Sequence, residues 1–383
     1  MAIKSIINRP VEISLRLIGA WPNSSYQILK YIMWTIVMSI FLIFQYSYCI
    51  IHIKTATLID ILDCLSITCS NTLLFLKFII IWLHKRVLFE SLIIIAEDWD
   101  NCKFEWNMEI MTQKAILSYR IAKLMLIIFI CSIFMYAVST FFGPDIGASH
   151  SDQKKFLLKM EFPFEATVSP LYEIIITIQL VMQFMFATMA GMFMTIIATF
   201  VLHVASQLDI ICDGLSEILD EHKEQELRIR IIKKLIVKHQ RTLNLSENIE
   251  NIFTFISLSQ FFFNILVICF VNFILVTSIG TEQESTVISK CFPYYIALNF
   301  EALILCYTGE YLSSKSENIS WIAYNSNWYE LSIYEIRVLL LLIMRSQKPL
   351  TLTIGKYMKL SLETFANMLK ISASYASVLY ALE

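Results

Sequence analysis

The chain has 383 residues, of which 57% are hydrophobic and 16% charged, with only 8 glycines and 7 prolines. That usage is too apolar and too little punctuated for an ordinary soluble domain. The net charge of -2, with basic residues spread through loops rather than gathered in a patch, gives no reason to expect a nucleic-acid partner.

The first 23 residues carry Lys4, Arg9, Glu12 and Arg16 without a long apolar run, so they do not read as a cleaved signal, and the first span is expected to act as its own insertion signal. A spanning helix needs roughly 20 mostly apolar residues. Segments 32–53, 62–83, 124–142, 174–204, 252–279 and 292–312 qualify, and a divided region follows them. The expected fold is an all-α integral membrane protein with seven transmembrane helices, forming one domain over 1–383. Cys49, Cys69, Cys131, Cys269 and Cys306 fall inside spans, where a thiol behaves as a small apolar group. With no Cys-x-x-Cys pair and six scattered histidines, no metal or other cofactor is expected.

Lys and Arg are retained on the cytoplasmic side of a membrane protein. They cluster before the first span (Lys4, Arg9, Arg16, Lys30), between the second and third (Lys85, Arg86, Lys103, Lys114, Arg120), and between the fourth and fifth (Lys223, Arg228, Arg230, Lys233, Lys234, Lys238, Arg241). The alternate loops hold only Lys54, Lys154, Lys155, Lys159 and Lys290. The N-terminus is therefore expected in the cytoplasm and the C-terminus outside, the reverse of a G-protein-coupled receptor. No Asp-Arg-Tyr follows the third span, and no Asn-Pro-x-x-Tyr lies near the last.

The longest outer connection is expected over 143–169. Beyond the fourth span, Leu208, Ile211, Leu215, Ile218 and Leu219 keep helical spacing, so the fourth and fifth helices should project into the cytoplasm. The charged stretch 220–241 reads by itself as a solvated face. Together, 204–251 and 312–348 are expected to form a cytoplasmic anchor region. Proline lacks an amide donor and clashes with the preceding turn, so Pro349 should split the seventh element into a cytoplasmic piece and a membrane helix over 350–383.

In that last helix Glu363, Asn367, Lys370, Ser374, Ser377 and Ala381 fall on one stripe, with Val378 and Leu382 at its edge. Phe365, Met368, Leu369, Ala373, Ala376, Leu379 and Tyr380 occupy the other face. Polar groups at membrane depth usually face a bundle interior or a wet cavity. The stripe fits either mutual shielding, with serines bonded to their own helix, or a water-filled pore ringed by several copies of the helix.

The residues from Arg345 to Leu382 resemble the C-terminal signature of the insect odorant receptor family. The resemblance rests on Ser346-Gln347-Lys348-Pro349-Leu350, Gly355, Leu360-Ser361-Leu362, Thr364-Phe365 and Ser374-Tyr375. Arg16 to Pro22 is similar to its N-terminal element, and the stretch around Trp328 to the segment before the divided helix. The resemblance implies a ligand-gated cation channel. In it an odorant-binding subunit forms a heterotetramer with an obligate co-receptor in the plasma membrane of olfactory neuron dendrites. The last helix would line the pore, with its hydrophobic gate at Val378 and Leu382; Ser374 and Asn367 join that lining from the stripe alone. The short second cytoplasmic loop favours a tuning subunit over the co-receptor.

The resemblance also implies a site for a small volatile in the outer half of the bundle. The candidate lining is Thr68, Met135, Tyr136, Ser139, Gln179, Met182, Gln183, Phe186, Tyr294, Tyr295 and Leu298, a mixture suited to recognition by shape and burial. A gustatory-type channel is the alternative within the architecture, but Ala381-Leu382 stands where that family ends in Gln-Phe. A transporter would call for Gly/Pro-broken spans in matching halves, which are missing, and no glycine-rich phosphate loop or nucleophile elbow supports an enzyme.

Overall fold

The computed structural model describes residues 26–102, 104–142, 155–218, 225–281, 284–325 and 327–382, with positions 12, 15, 16, 19 and 21 before them. Helices dominate: α1 Gln27–His52, α2 Leu58–Leu83, α3 Lys85–Asp100, α4 Glu105–Phe142, α5 Leu171–Ile218, α6 Gln225–Ser278, α7 Glu284–Tyr324, α8 Ile333–Ser346 and α9 Leu362–Leu382. One two-stranded antiparallel hairpin, β1 Thr353–Ile354 and β2 Met358–Lys359, lies between α8 and α9.

Among the described residues five helices, α1, α2, α4, α5 and α6, are long and apolar enough to cross a membrane. The span expected over 292–312 and the last helix do not reach that composition. α7 carries Lys290, Glu301 and Glu310 along its length, and α9 carries its polar stripe. α1 turns Ile32, Ile36, Ile40, Ile43 and Ile50 outward, and α4 turns Leu124, Ile127, Ile130 and Phe134 outward. Apolar side chains in such numbers are lipid-facing in a membrane protein.

At 1.5 Å per residue, the 54 residues of α6 make a rod of about 80 Å, against a hydrocarbon core of roughly 30 Å. The excess of α5, α6 and α7 lies at the basic end, where the projecting halves pack with α8. Leu208, Ile211, Leu215, Ile232, Leu235, Leu312, Ile319, Leu339 and Leu342 belong to one continuous core there. Residues 219–224, part of the charged stretch, lie outside the described residues.

Two segments depart from the expected layout. The connection between the second and third spans is not a loop but α3, which buries Leu88, Leu92, Ile95 and Ala96 along one face. The region 350–383 does not start as a helix. Leu350, Leu352 and Ile354 are buried in alternation with Thr351 and Thr353, the period of a strand, before the chain turns at Gly355. Gly355 has φ +59°, left-handed backbone that glycine adopts without steric cost. The hairpin is strapped to its neighbours: Leu350 N donates to Ser316 Oγ on α7 (3.0 Å), Gly355 N to the carbonyl of Thr254 on α6 (3.1 Å), and Thr353 N to Glu250 Oε2 on α6 (3.0 Å).

The start of α9 is fixed from two sides. Ser361 Oγ accepts from Thr364 N (3.1 Å) as an N-cap, and Glu310 Oε2 on α7 accepts from Leu362 N (2.7 Å). Both satisfy amides that a helix leaves unpaired, and the carboxylate also complements the positive end of the helix dipole.

Candidate ligand cavity and channel-lining helix

Inside the outer half of the bundle, α2, α4, α5 and α7 surround a cavity of about 130 Å³. Ile67, Leu73 and Leu74 come from α2, Phe129 and Ile133 from α4, Phe186, Ala187 and Ala190 from α5, and Ala297 and Leu298 from α7. Its roof includes Leu157 of the outer connection. That connection is held by Gln179, whose amide pairs with both the N–H and the carbonyl of Leu158 at 3.1 Å each. Leu157, Leu158 and Met160 then pack on Phe41, Phe44, Ile67 and Tyr136, closing the outer end.

Of the residues expected to line a site, Tyr136, Gln183, Phe186, Tyr294 and Leu298 come together around this cavity. The others surround it without reaching it. Thr68 is fully buried and donates to the carbonyl of Cys64 (2.8 Å), and Ser139 bonds Ser289 of α7 (2.8 Å). Gln179 supports the roof, Met182 packs into the main core, Tyr295 packs against a second core beside α9, and Met135 is half-buried on α4. Tyr294 is tied down by hydrogen bonds to the Ser70 hydroxyl and the carbonyl of Ser66 (3.1 Å).

The cavity runs deeper than the outer-half ranges expected, to Phe129, Lys77, Ala190 and Glu301. At this depth Lys77 of α2 and Glu301 of α7 form an ion pair, Nζ to Oε1 at 2.5 Å, with 2% and 4% of their surfaces exposed. Their signal in the sequence is two ionisable side chains in otherwise apolar spans. Nearer the outer end, a second charged cluster bridges α2, α7 and the outer connection. Lys290 Nζ lies 2.7 Å from Asp63 Oδ2 and over the Tyr136 ring (4.5 Å), while Lys159 Nζ lies 2.6 Å from Asp60 Oδ1. Tyr136, its hydroxyl donating to Asp63 (3.4 Å), connects this cluster to the cavity wall.

α9 packs on α6 and α7 with Thr364, Met368, Ser372 and Ala376 buried and Phe365, Leu369 and Leu379 half-buried. Ala373 and Tyr380, from the apolar side of the helix, are exposed in the single chain. The opposite face bears Glu363, Asn367, Lys370, Ser374, Ser377, Val378 and Ala381, all exposed in the single chain, Val378 by 56%. The hydroxyls of Ser374 and Ser377 donate to the carbonyls of Lys370 (2.9 Å) and Ser374 (2.8 Å), as expected of helix-bonded serines. The side chain of Leu382 lies outside the described residues.

Cavity and helix share one packed layer. Leu298, which lines the cavity, belongs with Ala302, Val267, Val271 and Met368 of α9 to a single buried cluster.

Residues 57–373 match the family model described as 7tm Odorant receptor. Odorant receptor 13a of Drosophila melanogaster is 24% identical over 95% of this chain and 93% of its own length. Odorant receptor 85b of the same fly is 27% identical over 46% of this chain and 45% of its own. The chain thus spans less than half the length of some curated relatives it matches. Among solved structures, the insect olfactory receptor OR5 from Machilis hrabei in complex with eugenol superposes with a TM-score of 0.81, at 15% identity, over 97% of both chains. A second structure of that receptor gives 0.74 at 17% identity over the same share.

Proposed function

The chain belongs to the 7tm odorant receptor family, and from that premise we propose that it is the odorant-binding subunit of a cation channel gated by a small volatile ligand. The family is one of membrane receptors with seven transmembrane helices, not of enzymes. In this reading the ligand sits in the cavity between α2, α4, α5 and α7, and α9 lines a pore shared with a co-receptor subunit at the plasma membrane. The observation that carries it is the pairing of a mostly apolar cavity between four helices with a helix whose Asn367, Ser374 and Val378 face is exposed among the described residues.

Physical support comes from the shared cluster. A ligand gates only if it binds the open state better than the closed one, and Leu298 is in the same buried layer as Met368 of α9. Displacement of Leu298 by a ligand therefore bears on the helix assigned to the pore. Tyr136, Gln183, Phe186, Tyr294 and Leu298 are the assigned ligand contacts. Val378 is assigned to a hydrophobic constriction that closes by dewetting, together with Leu382. Concentration of Lys and Arg at the end where α5, α6 and α7 project supports a cytoplasmic N-terminus and anchor, with the end of α9 outside.

Co-expression with a co-receptor in oocytes, challenged with a panel of volatiles that includes eugenol, tests the reading. Odorant-gated cation current insensitive to G-protein inhibitors is expected. Current abolished by those inhibitors, or saturable uptake without current, overturns it. In the same cells Val378→Ala is expected to raise the basal current or change ion selectivity; no change in basal current, selectivity and block removes Val378 from the pore.

A further inference from the structure

The cavity contains an unusual wall for a site that takes volatile molecules: a buried ion pair rather than a purely apolar lining. Lys77 and Glu301 both line it, both are more than nine-tenths buried, and they approach from different helices 224 residues apart in sequence. An ammonium group has three donors and a carboxylate has two acceptor oxygens. Among the described residues, Lys77 Nζ is bonded to Glu301 Oε1, which leaves two N–H groups of Lys77 and Oε2 of Glu301 for whatever shares the cavity.

Hence we infer that the cavity selects neutral, compact ligands carrying a hydroxyl group, with Lys77 and Glu301 as the specificity-determining pair; the inference rests on the ligand-cavity reading above. The hydroxyl oxygen accepts from Lys77 Nζ while its proton is donated to Glu301, so one small group completes both partners. A carbonyl or ether oxygen satisfies only Lys77. A hydrocarbon satisfies neither and takes the place of any water that would.

Charged ligands are disfavoured for a different reason. The pair is already electroneutral, so a carboxylate brought beside Glu301, or an ammonium brought beside Lys77, adds a net charge to a buried site, and burying an uncompensated charge is costly. The apolar remainder of the wall, with Phe129, Phe186 and Leu298, accommodates the carbon skeleton. Ser70 and Tyr294 are less available for this role, because they bond each other and the Ser66 carbonyl.

The test uses a series on one skeleton: 1-hexanol, hexanal, 1-methoxypentane, hexane, hexanoic acid and hexylamine. Two readouts are taken on the full complex with the co-receptor, the gated current and the ligand-induced rise in melting temperature of the detergent-solubilised complex. Because removing one member of a buried pair strands the other, the variant is the double substitution Lys77→Met with Glu301→Leu, which replaces the pair with apolar side chains of similar volume. Wild type is expected to prefer 1-hexanol over hexane by about tenfold to a hundredfold in half-maximal concentration, as for a hydrogen bond to a charged group. The double variant is expected to lose that preference while still responding to hexane. Equal wild-type responses to alcohol and hydrocarbon, a preference for the acid or the amine, no thermal shift from any compound, or an alcohol preference that survives in the double variant overturns the inference. An alcohol-selective thermal shift without current upholds the pair's role and refutes ligand gating, so the two failures are distinguishable.

Discussion

Gly309 on α7 lies directly against the backbone of Leu360. A Cβ added there would lie 2.5 Å from Leu360 Cβ and 2.8 Å from the Leu360 carbonyl oxygen, so backbone would have to move. Gly309→Ala is expected to destabilise the protein by about 1–3 kcal/mol, seen as a lower melting temperature of a fluorescent fusion in size-exclusion chromatography; an unchanged melting temperature refutes the contact. Gly355 is constrained by backbone rather than by space alone. Its φ is positive, and an added Cβ would stand 2.9 Å from the Leu258 side chain, so Gly355→Ala should cost about 1–2 kcal/mol in the same assay. Gly355, with buried Leu350, Leu352 and Leu360 and the Ser361 cap, gives physical meaning to the first part of the C-terminal signature, 346–365, which straps the chain to α6 and α7 and caps α9.

α8 is held at its start by a reciprocal capping box. Glu335 N donates to Ser332 Oγ (3.4 Å) while Ser332 N donates to Glu335 Oε2 (2.8 Å), and Arg228 Nε of α6 donates to Glu335 Oε1 (3.1 Å). Burial acts to raise the Glu335 carboxyl, but the hydrogen bonds from Arg228 and Ser332 outweigh it and hold it below its ordinary value of 4.5. A lowered native pKa means that the ionised group contributes stability above about pH 4.5, lost as pH falls through the native value. Glu335→Gln should therefore lower stability at neutral pH by about 1–2 kcal/mol, as for weakened hydrogen bonds to a charged group. The gap from wild type should narrow below pH 4.5, and a gap that stays constant with pH contradicts the assignment.

At this scale the sequence is legible where one period runs long, as in α5, α6 and the Asn367–Ser374 stripe of α9. The β1–β2 hairpin is hidden because Pro349 accounts for the break by itself, although the alternation of Leu350, Leu352 and Ile354 with threonines carries the strand period. α3 resembles a loop in sequence because its charged ends, Lys85-Arg86 and Asp98 to Asp100, mask the spacing of Leu88, Leu92 and Ile95. In the cavity, side chains one turn apart are indistinguishable by sequence: Gln183 lines it while Gln179 holds the Leu158 backbone. Which face of a helix meets a cavity depends on its rotation against three neighbours, information that no single helix contains.

For the molecule as a whole, the prediction concerns transmission. Met368 is 2% exposed and sits in the cluster that contains Leu298, but it does not line the cavity. Met368→Ala is expected to change the concentration dependence of odorant-gated current by several-fold while leaving ligand-induced thermal stabilisation close to wild type. Equal changes in both readouts would place Met368 in the binding site instead. The two cores have different exposures to such a change, since the projecting halves of α5, α6 and α7 pack with α8 in a separate stretch of the main core, away from Met368.

The carboxylate that caps α9 has a mechanical consequence. Glu310 and Glu301 belong to the same helix, and from Tyr294 to Tyr324 that helix runs without a proline, a rod of about 46 Å by its rise per residue. Pro293, immediately before Tyr294, removes a ladder hydrogen bond and marks where the rod can hinge. In the proposed reading, a ligand against Tyr294 or Leu298 that tilted the helix at this hinge would move the far arm, and with it the Glu310 oxygen that accepts from Leu362 N. α7 is in this sense a lever: its short arm ends at the outer charged cluster, and its load is the first turn of α9.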